Sequence, residues 1–184
     1  MSFGFPSLTE DLECIQSSIL HAHSKNVVLF AAARNNGGLT KIAYPASQPE
    51  VICINSTDGE GNQSHFKPSA EKFKNFSTVG ENVLSSWARS LPKRMSGTSF
   101  ATPIAAGVAA IVMDYMEQKS HAWPPGDGQY IARRIRTRGG IVKIFEKHLS
   151  DNRGDFRFIW PWKFFNKAGE SELDKVLLNT LRGP

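Results

Sequence analysis

A chain of 184 residues, 40% of them hydrophobic, is long enough to bury one globular core. Much of its formal net charge of +5 lies late, in Arg133-Arg134-Ile135-Arg136-Thr137-Arg138. No recognisable module or row of aromatic platforms surrounds that run, so it reads as a solvated helix face and no nucleic-acid partner is expected. No apolar run reaches the length of a membrane span, since the one after Ser99 stops at Asp114, and no membrane partner is expected. Residues 1–6 lack the basic and apolar segments of a signal peptide. Cys14 and Cys53 each sit among apolar residues and read as buried free thiols, which leans toward an intracellular setting.

In chain order, Met1-Ser2-Phe3-Gly4 reads as a short strand. Ser7-Leu8-Thr9-Glu10 has capping-box spacing, and Leu8, Leu12, Ile15 and Ile19 recur at helical intervals, which predicts an amphipathic helix over 9–24. Residues 27–33, Val-Val-Leu-Phe-Ala-Ala-Ala, form a continuous apolar run suited to a strand buried on both faces of a parallel sheet. Strand, helix and strand together make a βαβ unit. Arg34-Asn35-Asn36-Gly37-Gly38 closes the run with turn chemistry. Ligands of open α/β sheets bind beyond the carboxyl ends of strands, which makes this loop a site candidate.

A short buried strand is predicted over 51–54 and a turn at Asp58-Gly59-Glu60-Gly61-Asn62, which lacks the spaced ligands of a calcium loop. Residues 64–66 and 75–78 read as edge strands or loops, and 81–87 alternates as another strand. Met95-Ser96-Gly97-Thr98-Ser99 is a polar turn that runs into small and apolar residues as far as Val112 and Met113. A helix starting near Ser99 would carry Pro103 in its first turn and aim its N-terminal N–H groups at whatever the Ser99 hydroxyl touches. An oxyanion formed there would sit beside a positive helix end. Later, Pro124-Pro125-Gly126-Asp127-Gly128 marks a loop, and helices are predicted around 130–135 and 141–149. Residues 156–162 read as an irregular aromatic strap, and Leu173, Val176, Leu177 and Leu181 as a terminal amphipathic helix.

Gly97-Thr98-Ser99-Phe100-Ala101-Thr102-Pro103 resembles the Gly-Thr-Ser-x-Ala-(Ser/Thr)-Pro signature of the subtilisin-like serine proteases. The family's next residue is usually His, and here it is Ile104. Residues 28–37 resemble the family strand that ends in Ala-Ala-Gly-Asn-x-Gly, residues 1–4 its Met-Ser-Leu-Gly strand, and Tyr44-Pro45-Ala46 its following stretch. The resemblance covers roughly residues 1–115, and the Asn-Asn-Gly-Gly and Ser-Gly-Thr-Ser-Phe-Ala-Thr-Pro wording points to the type found in filamentous fungi. It implies a parallel-sheet, three-layer α/β/α fold without its N-terminal strands. Residues 1–120 would be the C-terminal part of a catalytic domain and 121–184 a helical extension packed on it.

The resemblance makes Ser99 the nucleophile of an endopeptidase and Asn35 the oxyanion donor. Ser2, Phe3 and Gly4 would pair with an extended peptide substrate, and Ala32 and Arg34 would belong to its pocket. Arg34 stands where the family usually has a small residue, so it either fills the pocket or selects an acidic side chain. No metal or cofactor is implied. The family's Asp-(Thr/Ser)-Gly and His-Gly-Thr motifs, which carry the acid and the base, are absent from these residues. Asp11, His21 and His23 lack the following glycine, and His65, His121 and His148 match no family position. The expectation is a chain inactive by itself, with an N-terminal half supplied elsewhere. The alternative is a pseudoprotease module that binds peptides without cleaving them.

Overall fold

The computed structural model describes residues 1–38, 40–69, 71, 76–87, 91–123, 126–162 and 170–182. Asn75, Pro124 and Pro125, which belong to predicted segments, lie outside them. A 3-10 turn (Glu10–Leu12) leads into α1 (Glu13–Ser24), followed by β1 (Leu29–Ala32), β2 (Val51–Thr57), β3 (Phe76–Val79), β4 (Val83–Ser86) and β5 (Pro92–Met95). Then come α2 (Thr98–Ser120), α3 (Asp127–Ile135), α4 (Arg138–Ile144), a π-helical turn (Phe145–Leu149), β6 (Ser150–Arg153), β7 (Phe156–Ile159) and α5 (Glu170–Arg182).

The main sheet has the order β1-β2-β3-β7-β6, parallel except for the final β7–β6 pair. Every residue of β2 is buried, as an apolar strand with helices on both faces requires. Alternate side chains go to opposite layers. Phe30, Ile52, Ile54 and Phe76 join Ala101, Ala105, Ala109 and Val112 of α2 in the larger core, together with α3, α4 and α5. Ala31, Val51 and Cys53 join Ile19 of α1 on the other face. Burying side chains such as Ile54 or Phe76 contributes roughly 1.5–3 kcal/mol each. The result is the expected three-layer α/β/α arrangement.

Several local expectations change. The capping box at Ser7 is not formed: Thr9 is the N-cap, makes no side-chain cap bond, and opens a 3-10 turn through Leu12 N–H to its carbonyl. Residues 1–4 do not form a ladder, yet the Met1 amine donates to Phe30 O at 2.6 Å and Ala32 N–H to Met1 O at 3.0 Å. Phe5 then bridges Tyr44. β1 starts at Leu29 because Val27 is still in the helix exit, its N–H bonded to Ala22 O beyond the left-handed Asn26. β3 is an interior strand rather than an edge, since β7 pairs along its far side.

The aromatic stretch expected as a strap supplies β7, with Phe156, Phe158 and Ile159 buried. β5, an exposed strand paired with β4, carries no apolar alternation that would announce it. Cys14 is exposed and only Cys53 is buried. The Asp58 turn stands: its carboxylate accepts from the Asn62 side chain and from Glu60 and Asn62 N–H, and the Asn62 side-chain bond leads in holding it below the ordinary value.

α2 runs six residues beyond Asp114, to Ser120, and its length and mean hydropathy of 1.4 match those of a membrane span, contrary to the shorter run expected. One face of it is the core helix just described. Its N-cap is Gly97, and Thr98 is its first residue, so Pro103 falls in the second turn rather than the first.

Candidate active site

Two strand ends meet the first turn of α2. Asn35 follows the end of β1, and Gly80 follows the end of β3. Gly97 N–H donates to Gly80 O at 2.8 Å. The approach depends on glycine: a Cβ on Gly80 would stand 2.5 Å from Ser56 Oγ and 2.9 Å from Gly97 O. Gly97 itself has φ 155°, and a Cβ there would come within 3.0 Å of Asn35 Nδ2.

Asn35 is oriented by one residue. Its Oδ1 accepts from Thr98 N–H at 2.8 Å and from Thr98 Oγ1 at 2.9 Å. The amide oxygen is thereby committed to the helix start, which leaves Nδ2 as the end able to donate to a ligand. Thr98 is buried, and its own carbonyl accepts from Thr102 Oγ1 at 2.8 Å.

Ser99 and Ser2 are bonded in both directions. Ser99 Oγ donates to Ser2 O at 3.1 Å, and Ser2 Oγ donates to Ser99 O at 3.0 Å. The second bond has a covalent cause. In an α-helix the Ser99 carbonyl would receive the N–H of residue 103, and Pro103 has none. The Ser2 hydroxyl takes the position that proline vacates. Pro103 therefore helps anchor the segment that the sequence pointed to as the substrate strand.

Ser2, Phe3, Gly4, Ala32, Arg34, Asn35 and Ser99, every residue singled out from the sequence, line one cavity of about 340 Å³. Phe5, Pro6, Asn36, Ala43 and Thr98 complete it. Thr98 and Pro103 are the functional positions that sequence reasoning missed. Both stand in the signature quoted for Ser99, which was the available signal, but neither was given a role at the site. Arg34 is half-buried, and its Nη1 reaches the Lys41 carbonyl at 3.5 Å.

No histidine and no carboxylate lines this cavity among the described residues. His21 and His23 lie in the last turn of α1, and the His65 ring sits 5.1 Å from that of Phe66. His121 caps α2, and His148 Nε2 meets Thr180 Oγ1 at 2.6 Å. The Ser99 proton rests on a backbone carbonyl, which cannot remove it. The arrangement supplies a hydroxyl, an oriented amide donor and a helix N-terminus, without a base to activate the hydroxyl.

Residues 1–141 match the model of peptidase S8, the subtilase family. M-protease of Shouchella clausii (strain KSM-K16) is 32% identical over 123 residues, covering 67% of this chain and 30% of the relative. Subtilisin BL of Lederbergia lenta is 32% identical over 123 residues, covering 67% of this chain and 42% of the relative. The major intracellular serine protease of Bacillus subtilis (strain 168) is 29% identical over 177 residues, covering 94% and 53%. The chain thus spans between 30% and 53% of the length of these relatives. Among solved structures, the patellamide maturation protease PatA superposes with a TM-score of 0.63 at 23% identity, over 96% of this chain and 60% of its own. The PatG macrocyclase, in complex with peptide, gives 0.63 at 17% identity, over 99% and 50%. These two bear on the fold, which they share.

Proposed function

The chain belongs to the subtilase family, and we propose that it carries the nucleophile side of a serine endopeptidase site. In this reading Ser99 attacks a peptide carbonyl to give an acyl-enzyme, and Asn35 Nδ2 donates to the oxyanion. Ser2, Phe3 and Gly4 pair with an extended substrate backbone, and Ala32 and Arg34 wall the pocket for its side chain. The observation that carries the reading is the convergence of these residues on one cavity beside the N-terminus of α2. The substrate is a peptide or protein.

The base and the acid that orients it come, in this proposal, from a further segment, with this chain as the C-terminal part of a fungal-type domain. The outer face of α2 supports that arrangement. Ile111 is 64% exposed, and Val28, Phe30, Ala106, Ala110 and Met113 line a groove of about 490 Å³ beside β1, together with Asn26, Asp114, Glu117 and Arg136. By itself the chain is then inactive. In subtilisin, a member of the same family, losing the histidine or the serine costs on the order of a million-fold in turnover.

A second reading, a peptide-binding module without catalysis, is favoured by the engagement of the Ser99 proton by Ser2 O and by the guanidinium in the cavity. Peptide binding and peptide hydrolysis by the Ser99→Ala chain separate the two. Under the first reading a base-supplying segment restores hydrolysis to the parent chain and not to the variant. Under the second, both chains bind peptide equally and neither hydrolyses it under any complementation.

A further inference from the structure

A second cavity, of about 790 Å³, shares no lining residue with the Ser99 cavity. Its wall carries Lys25 from the end of α1, Arg133, Arg134 and Arg136 from α3 and its exit, and Lys143 from α4, with no carboxylate in the lining among the described residues. The fold assembles this set. Ile131 and Ile135 of α3 are buried in the core, which turns the neighbouring arginines outward, toward the place where α1 ends. In the sequence they looked like one solvated helix face; in space they meet cations from two other elements across a concavity. Like charges on a concave protein wall focus their field and favour a counter-ion of several charges.

Arg136 pairs with Glu117 at 2.5 Å, with side chains 57% and 51% exposed, which offsets part of its charge, and Arg134 Nη1 donates to the Tyr130 hydroxyl at 2.9 Å. Tyr130, 46% exposed, adds an aromatic surface to the same wall.

We propose that this cavity binds a small anion bearing two or more phosphate groups. Guanidinium forks match phosphate oxygens two at a time, and three of the cations are arginines. The volume lies within the range of small-molecule sites, roughly 300–1,000 Å³. A nucleic-acid strand would need a basic track continuing beyond the cavity, with bases stacked on several rings.

The test is calorimetric titration of the whole chain with inorganic tripolyphosphate. One-site, saturable binding is expected, weakened roughly tenfold or more by the double substitution Arg133→Gln/Lys143→Gln. Lys93→Gln/Lys147→Gln, which removes equal charge outside the cavity, is expected to leave it unchanged. Where the double variant loses its circular-dichroism spectrum, Arg133→Gln alone, at an exposed position, gives the same comparison. Absence of saturable binding, or equal weakening by both double variants, overturns the site. Tighter binding of a glutamate-rich peptide or of a single-stranded oligonucleotide, sensitive to the same cavity substitutions, overturns the ligand class.

Discussion

Asn35 has two jobs at once, and substitutions can separate them. Its oxygen satisfies Thr98 N–H and Oγ1, and its nitrogen is the donor proposed for an oxyanion. Asn35→Ala is expected to destabilise the chain by about 1–3 kcal/mol, because a Thr98 donor at the helix start loses its acceptor. Asn35→Asp keeps the acceptor and removes the donor, so denaturant unfolding should recover much of that loss while oxyanion binding does not return. Arg34 makes a different claim. A peptide side chain entering the Ser99 cavity meets a guanidinium whose one described contact is a long one to Lys41 O. Peptides with Glu at the position that enters the cavity are expected to bind about tenfold tighter than those with Gln, and Arg34→Ala should abolish the difference in a fluorescence-anisotropy titration. Ser99 and Asn35 were legible because each stands in a motif with fixed neighbours. The Thr98 bonds and the Ser2 contact were not, because partners some sixty to a hundred positions apart leave no trace in local periodicity.

At the scale of elements, long apolar runs were read well and short ones poorly. The strand at 51–54 appeared as β2, extended to Thr57, since polar Asn55, Ser56 and Thr57 are buried and hydrogen-bonded into the ladder. β3 and β7 have four residues each, too few to show a period, and they pair with each other from about eighty positions apart. The π-helical turn after α4 shows how such a segment is fixed. Phe145 and Leu149 are buried, and His148 meets Thr180 of α5. Thr180 Oγ1 also lies 2.9 Å from Val176 O, which ties this contact to the α5 backbone. Burial, and then Lys147, hold His148 below its ordinary value. A group with a depressed folded pKa stabilises fully above its unfolded value, and that contribution is lost as pH falls through the folded one. The chain's melting temperature is therefore expected to fall as pH drops below about 7, and His148→Gln to flatten part of that dependence.

Across the whole molecule, described residues after Ser120 share the sheet and the larger core cluster with those before it. β7 lies between β3 and β6, and Ile131, Ile144, Phe145, Leu149, Ile159 and Leu177 pack in the same cluster as Phe30, Ile52 and Phe76. Tyr115 donates to Asp174 at 2.6 Å, and Arg182 pairs with Asp127, which ties α5 to α2 and α3. A chain ending at Ser120 is expected to lose its cooperative unfolding transition, as measured by circular dichroism during denaturant titration. A cooperative melt of that fragment would instead support two separable parts divided at residue 120. The βαβ unit was legible from a helix between apolar runs and marked the loop at 34–38 as a site candidate, whereas the three-layer architecture was implied by the family resemblance. The β6–β7 hairpin that completes the sheet was not legible, because its strands are four residues each and β6, Ser-Asp-Asn-Arg, carries no apolar residue.

The central claim is that Ser99 stands as a nucleophile by position, with its proton on Ser2 O and no base beside it. The rate at which a fluorophosphonate labels Ser99 in this chain, followed by mass spectrometry, tests it most directly. Slow labelling is expected, on the order of a million-fold below that of a complete triad, with any residual rate lowered further by Asn35→Ala. Rapid labelling confined to Ser99, at the rate of a complete serine-protease site, would contradict the account.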